Sequence, residues 1–331
     1  MRYLGSKTLL LDKIYEIVKD YSNDGIFCDP FGGIGTVGSY MKKKGYQVIT
    51  GDILQFAHFF QVALIECNNM PRFNKVREKF GFDTVNDIEQ YLNSVVSTTG
   101  WLVEEYAFKR KFFTVTNAIH IQGCIDSINI WRQENLLEKN EYEVLIASLI
   151  QSFDKVANTA GTYYAYLKKY YRKAMRPFYF SLIKPVEGNN NSISVLMDAN
   201  QLVRQFDCKI LYLDPPYNQR SYEKYYHLPE TVSCGIKPLP KGKSGVNTNH
   251  VMKSLYNKKL MATDTFKDLI NHTKANCIIF HYTDNGLIPC EEAKKILEAK
   301  GKVEEFFFDC KGYNVKTDIK QCQHHIFRMI S

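Results

Sequence analysis

Two kinds of apolar patterning alternate along this chain. Short runs bounded by glycine, proline or asparagine read as buried strands, and stretches with apolar residues at three- and four-residue spacing read as helices. Leu9, Leu10, Ile14, Ile17 and Val18 predict an amphipathic helix near the start, with Ser6 placed to cap it. An apolar strand then runs from Gly25 to Asp29, enters a glycine-rich turn, and is followed by a helix predicted over residues 36–43. A second strand, 46–50, ends at Gly51-Asp52. The run 208–213 is short, apolar and stopped by Pro215 and Pro216, which suits an inner strand of a parallel sheet covered on both faces. Residues 276–282 predict another inner strand, 291–300 a helix, and 303–309 with 324–329 an antiparallel hairpin that completes the sheet.

Between these parts the alternation gives way to helical periodicity, as in Ile119, Ile125, Ile128 and Ile130 or Val144, Leu145 and Leu149. The expectation is an α/β domain built from residues 1–65 and 194–331, with an inserted, mostly helical region over 66–193. The end of that insertion, 158–173, interleaves tyrosines with Lys168, Lys169, Arg172 and Lys173. Two readings stand: a DNA surface whose cations take phosphates while its aromatics stack or wedge, or a solvated helix face over a buried tyrosine stripe. Residues 189–191, all asparagine, read as a loop back to the sheet, and 237–259 as a basic loop able to close over DNA.

Composition narrows the class. A chain of 331 residues holds one large domain or two ordinary ones, and its net charge of +8 leans toward a polyanionic partner. Nine cysteines, an odd number spread along the chain, suit a reducing compartment without a disulfide framework. The opening lacks an apolar signal core and no run approaches membrane-spanning length, so a soluble, cytoplasmic protein is expected. No Cys-x-x-Cys pair occurs, and Cys322, His324 and His325 make a poor zinc set, so no metal is expected.

The chemistry gathers around Leu211-Tyr212-Leu213-Asp214-Pro215-Pro216-Tyr217. The prolines stiffen the backbone past the strand and leave carbonyls without competing donors; Asp214 adds a carboxylate and Tyr217 an aromatic face. Such an array suits a flat partner that carries an amino group. An extruded base is one, stacked on Tyr217 with its amino hydrogens held by Asp214 and a prolyl carbonyl. The plainer alternative is a proline turn in which Asp214 only caps the next segment. The turn Phe31-Gly32-Gly33-Ile34-Gly35 lets backbone approach a ligand closely, and Asp52, at the following strand end, can accept both hydroxyls of a ribose. No Gly-Lys-Ser/Thr follows, so this is not a Walker loop. His227, among tyrosines, reads as a hydrogen-bonded packing residue rather than a general base.

The combination of Asp29-Pro30-Phe31-Gly32-Gly33-Ile34-Gly35-Thr36, Asp52 and Asp214-Pro215-Pro216-Tyr217 resembles the S-adenosylmethionine-dependent amino methyltransferases of DNA. The opening Tyr3-Leu4-Gly5-Ser6-Lys7 and the order of the motifs resemble their alpha class, the Dam-like adenine methylases. The likeness covers the first 65 residues and most of 192–331. It implies a Rossmann-like class I methyltransferase sheet, mostly parallel with a terminal antiparallel hairpin, and an inserted helical target-recognition region. It further implies that Tyr3 and Lys7 help hold S-adenosylmethionine, Lys7 near its carboxylate. Asp29, Phe31, Gly33 and Gly35 would line the methionine and ribose portions, Asp52 the ribose hydroxyls, and Asp198 the adenine of the cofactor. Tyr3 stands where the family often has tryptophan.

Asp214, Pro215, Pro216 and Tyr217 would hold and activate the target adenine, Arg220 would touch DNA beside the flipped base, and residues 283–286 would shape the adenine pocket. The expected protein is a monomeric, bacterial or phage-type adenine-N6 methyltransferase acting on double-stranded DNA. It would serve as the modification half of a restriction system with a possible cognate endonuclease. An RNA or protein-glutamine amino methyltransferase, and a DNA-binding relative without catalysis, are the alternatives. Pro289-Cys290 could suggest a cytosine-C5 enzyme, but it follows the wrong strand for that role.

Overall fold

The structure is a computed structural model that describes every residue except Arg2, Arg220, 249–253 and 311–321, and all side chains outside those residues except 309, 310, 322 and 323. Nine strands occur among the described residues: β1 Ile26–Asp29, β2 Gln47–Asp52, β3 Ile193–Leu196, β4 Ile210–Leu213, β5 Pro240–Lys241, β6 Val246–Asn247, β7 Cys277–Thr283, β8 Lys302–Cys310 and β9 Cys322–Ile330. Seven of them form one sheet in the order β3-β2-β1-β4-β7-β9-β8. The first five of that order run parallel, and β9 is antiparallel to both β7 and β8. Helices Thr36–Lys43, Ala199–Gln205 and Ala262–His272 carry the chain from β1 to β2, β3 to β4 and β4 to β7. This is the expected Rossmann-like α/β sheet with its terminal antiparallel hairpin.

Packing explains which strands read as continuous apolar runs. β4 and β7 are buried at every residue, because each has a strand on both sides and side-chain layers above and below. On one face Leu211, Leu213, Ile278 and Phe280 meet Phe266 and Leu269 of Ala262–His272. Chain order runs outward from β1 to β3 in one direction and from β4 to β7 in the other, with β9 then inserted between β7 and β8, so β1 and β4 flank the topological switch point. Ligands of such sheets bind in the crevice beyond the carboxyl ends of these strands.

Gly51, near the end of β2, has no room for a side chain. A Cβ there would stand 2.4 Å from Leu202 Cδ1 and 3.3 Å from the Val195 carbonyl. Gly51→Ala is expected to cost about 1–3 kcal/mol through overpacking, measurable as a lowered denaturant midpoint at unchanged slope.

The first helix starts later than its periodicity suggests. It spans Leu11–Tyr21 with Leu10 at its N-cap and no side-chain cap, so Ser6 does not play that part. Ile14, Ile17 and Val18 are buried as expected, whereas Leu9 is 95 % exposed. Residues 8–10 form a turn instead, closed by the Leu10 N–H donating to the Lys7 carbonyl at 2.7 Å.

The chain divides into two compact units. The sheet unit is Lys7–Ile53, Glu187–Ser221 and Lys253–Ser331; the helical unit is Met1–Ser6, Leu54–Val186 and Tyr222–Met252. The helical unit therefore takes residues 54–65 and 222–252 in addition to most of the expected 66–193. Helix Gln55–Gln61 shows why: Phe56, Ala57, Phe59 and Phe60 are all buried, and its first amides donate to Glu230 on helix His227–Cys234, Gln55 N at 3.1 Å and Phe56 N at 3.0 Å. A carboxylate there satisfies orphan donors at a positive helix end. Helices Val115–Gln133 and Lys139–Asp154 supply the middle of this unit. The basic loop 237–259 contains the short hairpin of β5 and β6, and its residues 249–253 lie outside the described set.

Residues 158–173 do not form the solvated helix face that the spacing allows. The Asn158 side chain donates to the Lys111 and Leu167 carbonyls at 2.8 and 3.0 Å and accepts from Tyr171 N at 2.9 Å. Side-chain bonds of this kind compete with a helical backbone, and Gly161 sits at φ 128. Only Arg172–Met175 makes a short 3₁₀ turn. Tyr163 is fully buried and donates to Asp154 at 3.0 Å, whereas Tyr164 and Tyr171 are exposed.

Candidate active site

The last residue of β1 is Asp29, and the chain turns directly after it through residues 30–35. Gly33 at φ 51 and Gly35 at φ 77 both adopt left-handed backbone, which permits the reversal into helix Thr36–Lys43. The turn is tied to the end of β2: Gly33 N donates to Asp52 Oδ2 at 3.0 Å, and Gly32 N to the Gly51 carbonyl at 2.9 Å. Asp52 thus orients the glycine turn while its carboxylate stands at a strand end. The Phe31 ring meets Tyr256 edge-on at 5.0 Å, and the Tyr256 hydroxyl donates to Asn200 at 2.9 Å. Asp198 accepts from Asn200 N at 2.9 Å and caps helix Ala199–Gln205 just past β3.

Beside β1, β4 ends at Leu213 and delivers Asp214, Pro215, Pro216 and Tyr217 in succession. Asp214 forms an ion pair with Lys7, whose side chain is only 4 % exposed while that of Asp214 keeps 19 %. Pro215 is buried; Pro216 and Tyr217 are half-buried, and Tyr217 rests against the apolar cluster that includes Leu213 and Phe280.

The electrostatics bind these residues into one group. Burial raises the Asp214 carboxyl above its ordinary range, and the Lys7 charge and hydrogen bond oppose that rise. Asp29 is pushed up to about 8, first by burial and then by the charge of Asp214, with Asp52 adding to the rise and the Phe31 N–H and Lys7 opposing it. Asp29 therefore senses Lys7, Asp52 and Asp214, which come from three other sequence segments.

Of the residues singled out from sequence, Lys7, Asp29, Phe31, Gly33, Gly35, Asp52, Asp198 and 214–217 lie in the sheet unit. Tyr3 belongs to the helical unit, its ring stacked on Tyr226 with centroids 4.9 Å apart. Lys168, Lys169 and Arg172 are exposed there, while Lys173 donates to the Asp154 carbonyl at 2.9 Å. Arg220 lies outside the described residues. His227 is a buried packing residue, its Nε2 2.8 Å from the Tyr163 carbonyl, and burial pushes it down to about 4. Sequence reasoning missed the Lys7–Asp214 pair and the Tyr256 wall. Neither carries a local signal, since the paired residues are 207 positions apart and Tyr256 sits in a lysine-rich loop.

Residues 3–286 match the family described as D12 class N6 adenine-specific DNA methyltransferase. The chain belongs to that family. The Type II methyltransferase M.FokI of Planomicrobium okeanokoites is 34 % identical over 317 residues, covering 92 % of this chain and 48 % of that protein. Modification methylase StsI of Streptococcus sanguinis is 32 % identical over 303 residues, 90 % of this chain and 46 % of StsI. The Type II methyltransferase M.NlaIII of Neisseria lactamica is 28 % identical over 313 residues, 92 % of this chain and 90 % of M.NlaIII. The chain spans about half the length of M.FokI and StsI.

Proposed function

We propose that this chain transfers a methyl group from S-adenosylmethionine to N6 of an adenine extruded from double-stranded DNA, as the modification enzyme of a restriction-modification system. The observation that carries the reading is the placement of Asp214-Pro215-Pro216-Tyr217 at the end of β4, beside the glycine turn and Asp29 at the end of β1. The cofactor supplies a methyl carbon already activated on a sulfonium. The residues suit such a group: Asp29, Asp52 and the Lys7–Asp214 pair gather at the strand ends, and a cationic ligand beside Asp29 favours its ionised form. Asp52 is assigned to the ribose hydroxyls and Asp29 and the turn 31–35 to the methionine and ribose portions, and the family resemblance assigns Asp198, Lys7 and Tyr3 to the cofactor as well.

An exocyclic N6 lone pair is delocalised into the purine and is a poor nucleophile. Hydrogen bonds from N6 to the Asp214 carboxylate and the Pro215 carbonyl favour a tetrahedral nitrogen and stabilise the charge that develops as the N–C bond forms and the C–S bond breaks. Pro216 keeps the carbonyl rigid, and Tyr217 stacks on the base, a contact worth on the order of 1–3 kcal/mol. The products are N6-methyladenine, S-adenosylhomocysteine and one proton. Lys168, Lys169, Arg172, Lys173 and Arg220 are assigned to DNA phosphates. No helix among the described residues is long and apolar enough to cross a membrane.

Asp29 makes cofactor binding depend on pH. Its carboxyl, at about 8, is largely neutral at pH 7, and a cation beside it favours the ionised form. Binding should therefore release a proton near neutrality, and affinity should rise with pH through about 8. For folding of the ligand-free chain the sign is opposite: a raised carboxyl contributes stability below its unfolded value, and that contribution is lost as pH climbs through about 8. Calorimetric titration in buffers of different ionisation enthalpy measures the released proton, and Asp29→Asn should abolish it.

The defining experiment offers tritium-labelled cofactor to duplex DNA and to RNA, followed by single-molecule sequencing of DNA from a methylation-free host that expresses the chain. Label in duplex DNA at N6-methyladenine supports the proposal. Label in RNA alone moves the substrate class, and cofactor binding without transfer to either assigns a non-catalytic DNA-binding role.

A further inference from the structure

Two adjacent histidines on β9 part company. Side chains alternate across a strand, so His324 and His325 point to opposite faces of the sheet. His324 bonds His281 at 2.9 Å, and His281 in turn bonds the Tyr212 hydroxyl at 3.0 Å. His325 faces the other way, where Asp284, in the turn after β7, and Cys290, the first residue of helix Cys290–Glu298, come to meet it. This separation keeps His324 and His325 from meeting on one ion. It also assembles a different one.

We propose that Asp284, Cys290 and His325 form a binding site for a zinc-class divalent cation, independent of the methyl-transfer reading. One carboxylate oxygen, the Cys290 sulfur and an imidazole nitrogen lie within 4.8 Å of one another, donated by three separate elements. In a tetrahedral zinc site with ordinary bond lengths, ligand atoms stand roughly 3.3–3.8 Å apart, so small side-chain rotations close the set. His325 Nε2 is already directed at Asp284 Oδ1. Its other ring nitrogen, Nδ1, is 2.9 Å from Glu305 Oε1 on β8, the carboxylate partner that metal-bound histidines use to fix tautomer and ring orientation. Lys294 is 3.7 Å from Glu305 and faces that outer carboxylate rather than the three donors.

The donor set selects the ion. Thiolate, imidazole and carboxylate together suit zinc or cobalt, whereas magnesium and calcium take oxygen ligands. Three protein donors leave the fourth position of a tetrahedron to water. The bound ion would fasten the turn 283–289 to β9. That turn is also held by Gly286 N on the Thr283 carbonyl at 3.0 Å, Ile288 N on the Tyr282 hydroxyl at 3.1 Å and the Cys290 thiol on the Thr283 carbonyl at 3.8 Å, the last of which a metal would replace.

The test uses the full chain without an affinity tag, stripped with a chelator and then titrated with zinc and with cobalt. The proposal expects one metal per chain at micromolar affinity or tighter. Cobalt should show a sulfur-to-metal charge-transfer band, and the melting temperature should rise by about 5 °C with zinc in hundredfold excess over its dissociation constant. Cys290→Ser should remove the band and weaken zinc binding at least tenfold, while Cys234→Ser, a half-buried thiol of the helical unit, should change neither. Glu305→Gln should weaken affinity by roughly 10–100-fold and keep the band. Should His325→Ala fail to fold, the Cys290 and Glu305 variants still decide. Zinc binding only at millimolar concentration, or equal affinity in Cys290→Ser, would overturn the site.

Discussion

Asp214→Ala is expected to lower the single-turnover rate of methyl transfer by roughly 10²–10³, the scale seen when one preorganised partner of a developing charge is removed. The argument rests on position. Asp214 stands at the tip of β4 beside the buried Asp29, and its carboxylate is the acceptor assigned to the N6 hydrogens. Asp214→Asn keeps an acceptor oxygen but loses the charge, so its rate should fall between the parent and the alanine variant. Both substitutions leave the 4 %-exposed Lys7 ammonium without its counter-charge, so melting curves must accompany the kinetics. Cofactor affinity should survive. An alanine variant that folds, binds cofactor and methylates within about tenfold of the parent would remove Asp214 from the chemistry.

Lys7→Met tests the pair from its other side. Burial raises the Asp214 carboxyl, and Lys7 is the group that opposes this. A nearby opposite charge depresses a carboxylate, so its loss should move Asp214 further up. If ionised Asp214 is the working form, the acid limb of the pH–rate profile shifts to higher pH, and raising pH restores the rate. The family resemblance instead places Lys7 near the carboxylate of S-adenosylmethionine. On that account Lys7→Met weakens cofactor binding and leaves the acid limb in place. Binding and pH profiles on one variant separate the two roles, and Lys7→Arg, which keeps the charge, should shift the limb little.

The parts of this site that were legible in the sequence are those with local causes. Strand periodicity, two prolines and a glycine turn located β1, β4 and the residues at their ends, because breakers and short apolar runs act within a few residues. The hairpin of β8 and β9 was visible for the same reason. The Lys7–Asp214 pair was not, since nothing near Lys7 records which strand end its ammonium will reach. Ser6 looked like a cap because it precedes an apolar pattern, yet the backbone spends residues 8–10 on a turn first. The tyrosine-rich stretch 158–173 was opaque because its structure hangs on the Asn158 side chain, which bonds backbone as far away as Lys111. The helical unit reaches past the expected bounds because helix Gln55–Gln61 is buried nearly all round and receives Glu230, a residue from beyond 214–217.

The helical unit is assembled from three stretches, Met1–Ser6, Leu54–Val186 and Tyr222–Met252. A recombination event that swapped only the long middle stretch with a relative would import helices whose end-capping carboxylate, Glu230, stayed behind with the host. Exchange of that stretch alone is thus disfavoured in this architecture, and point substitution on exposed residues is the easier evolutionary route.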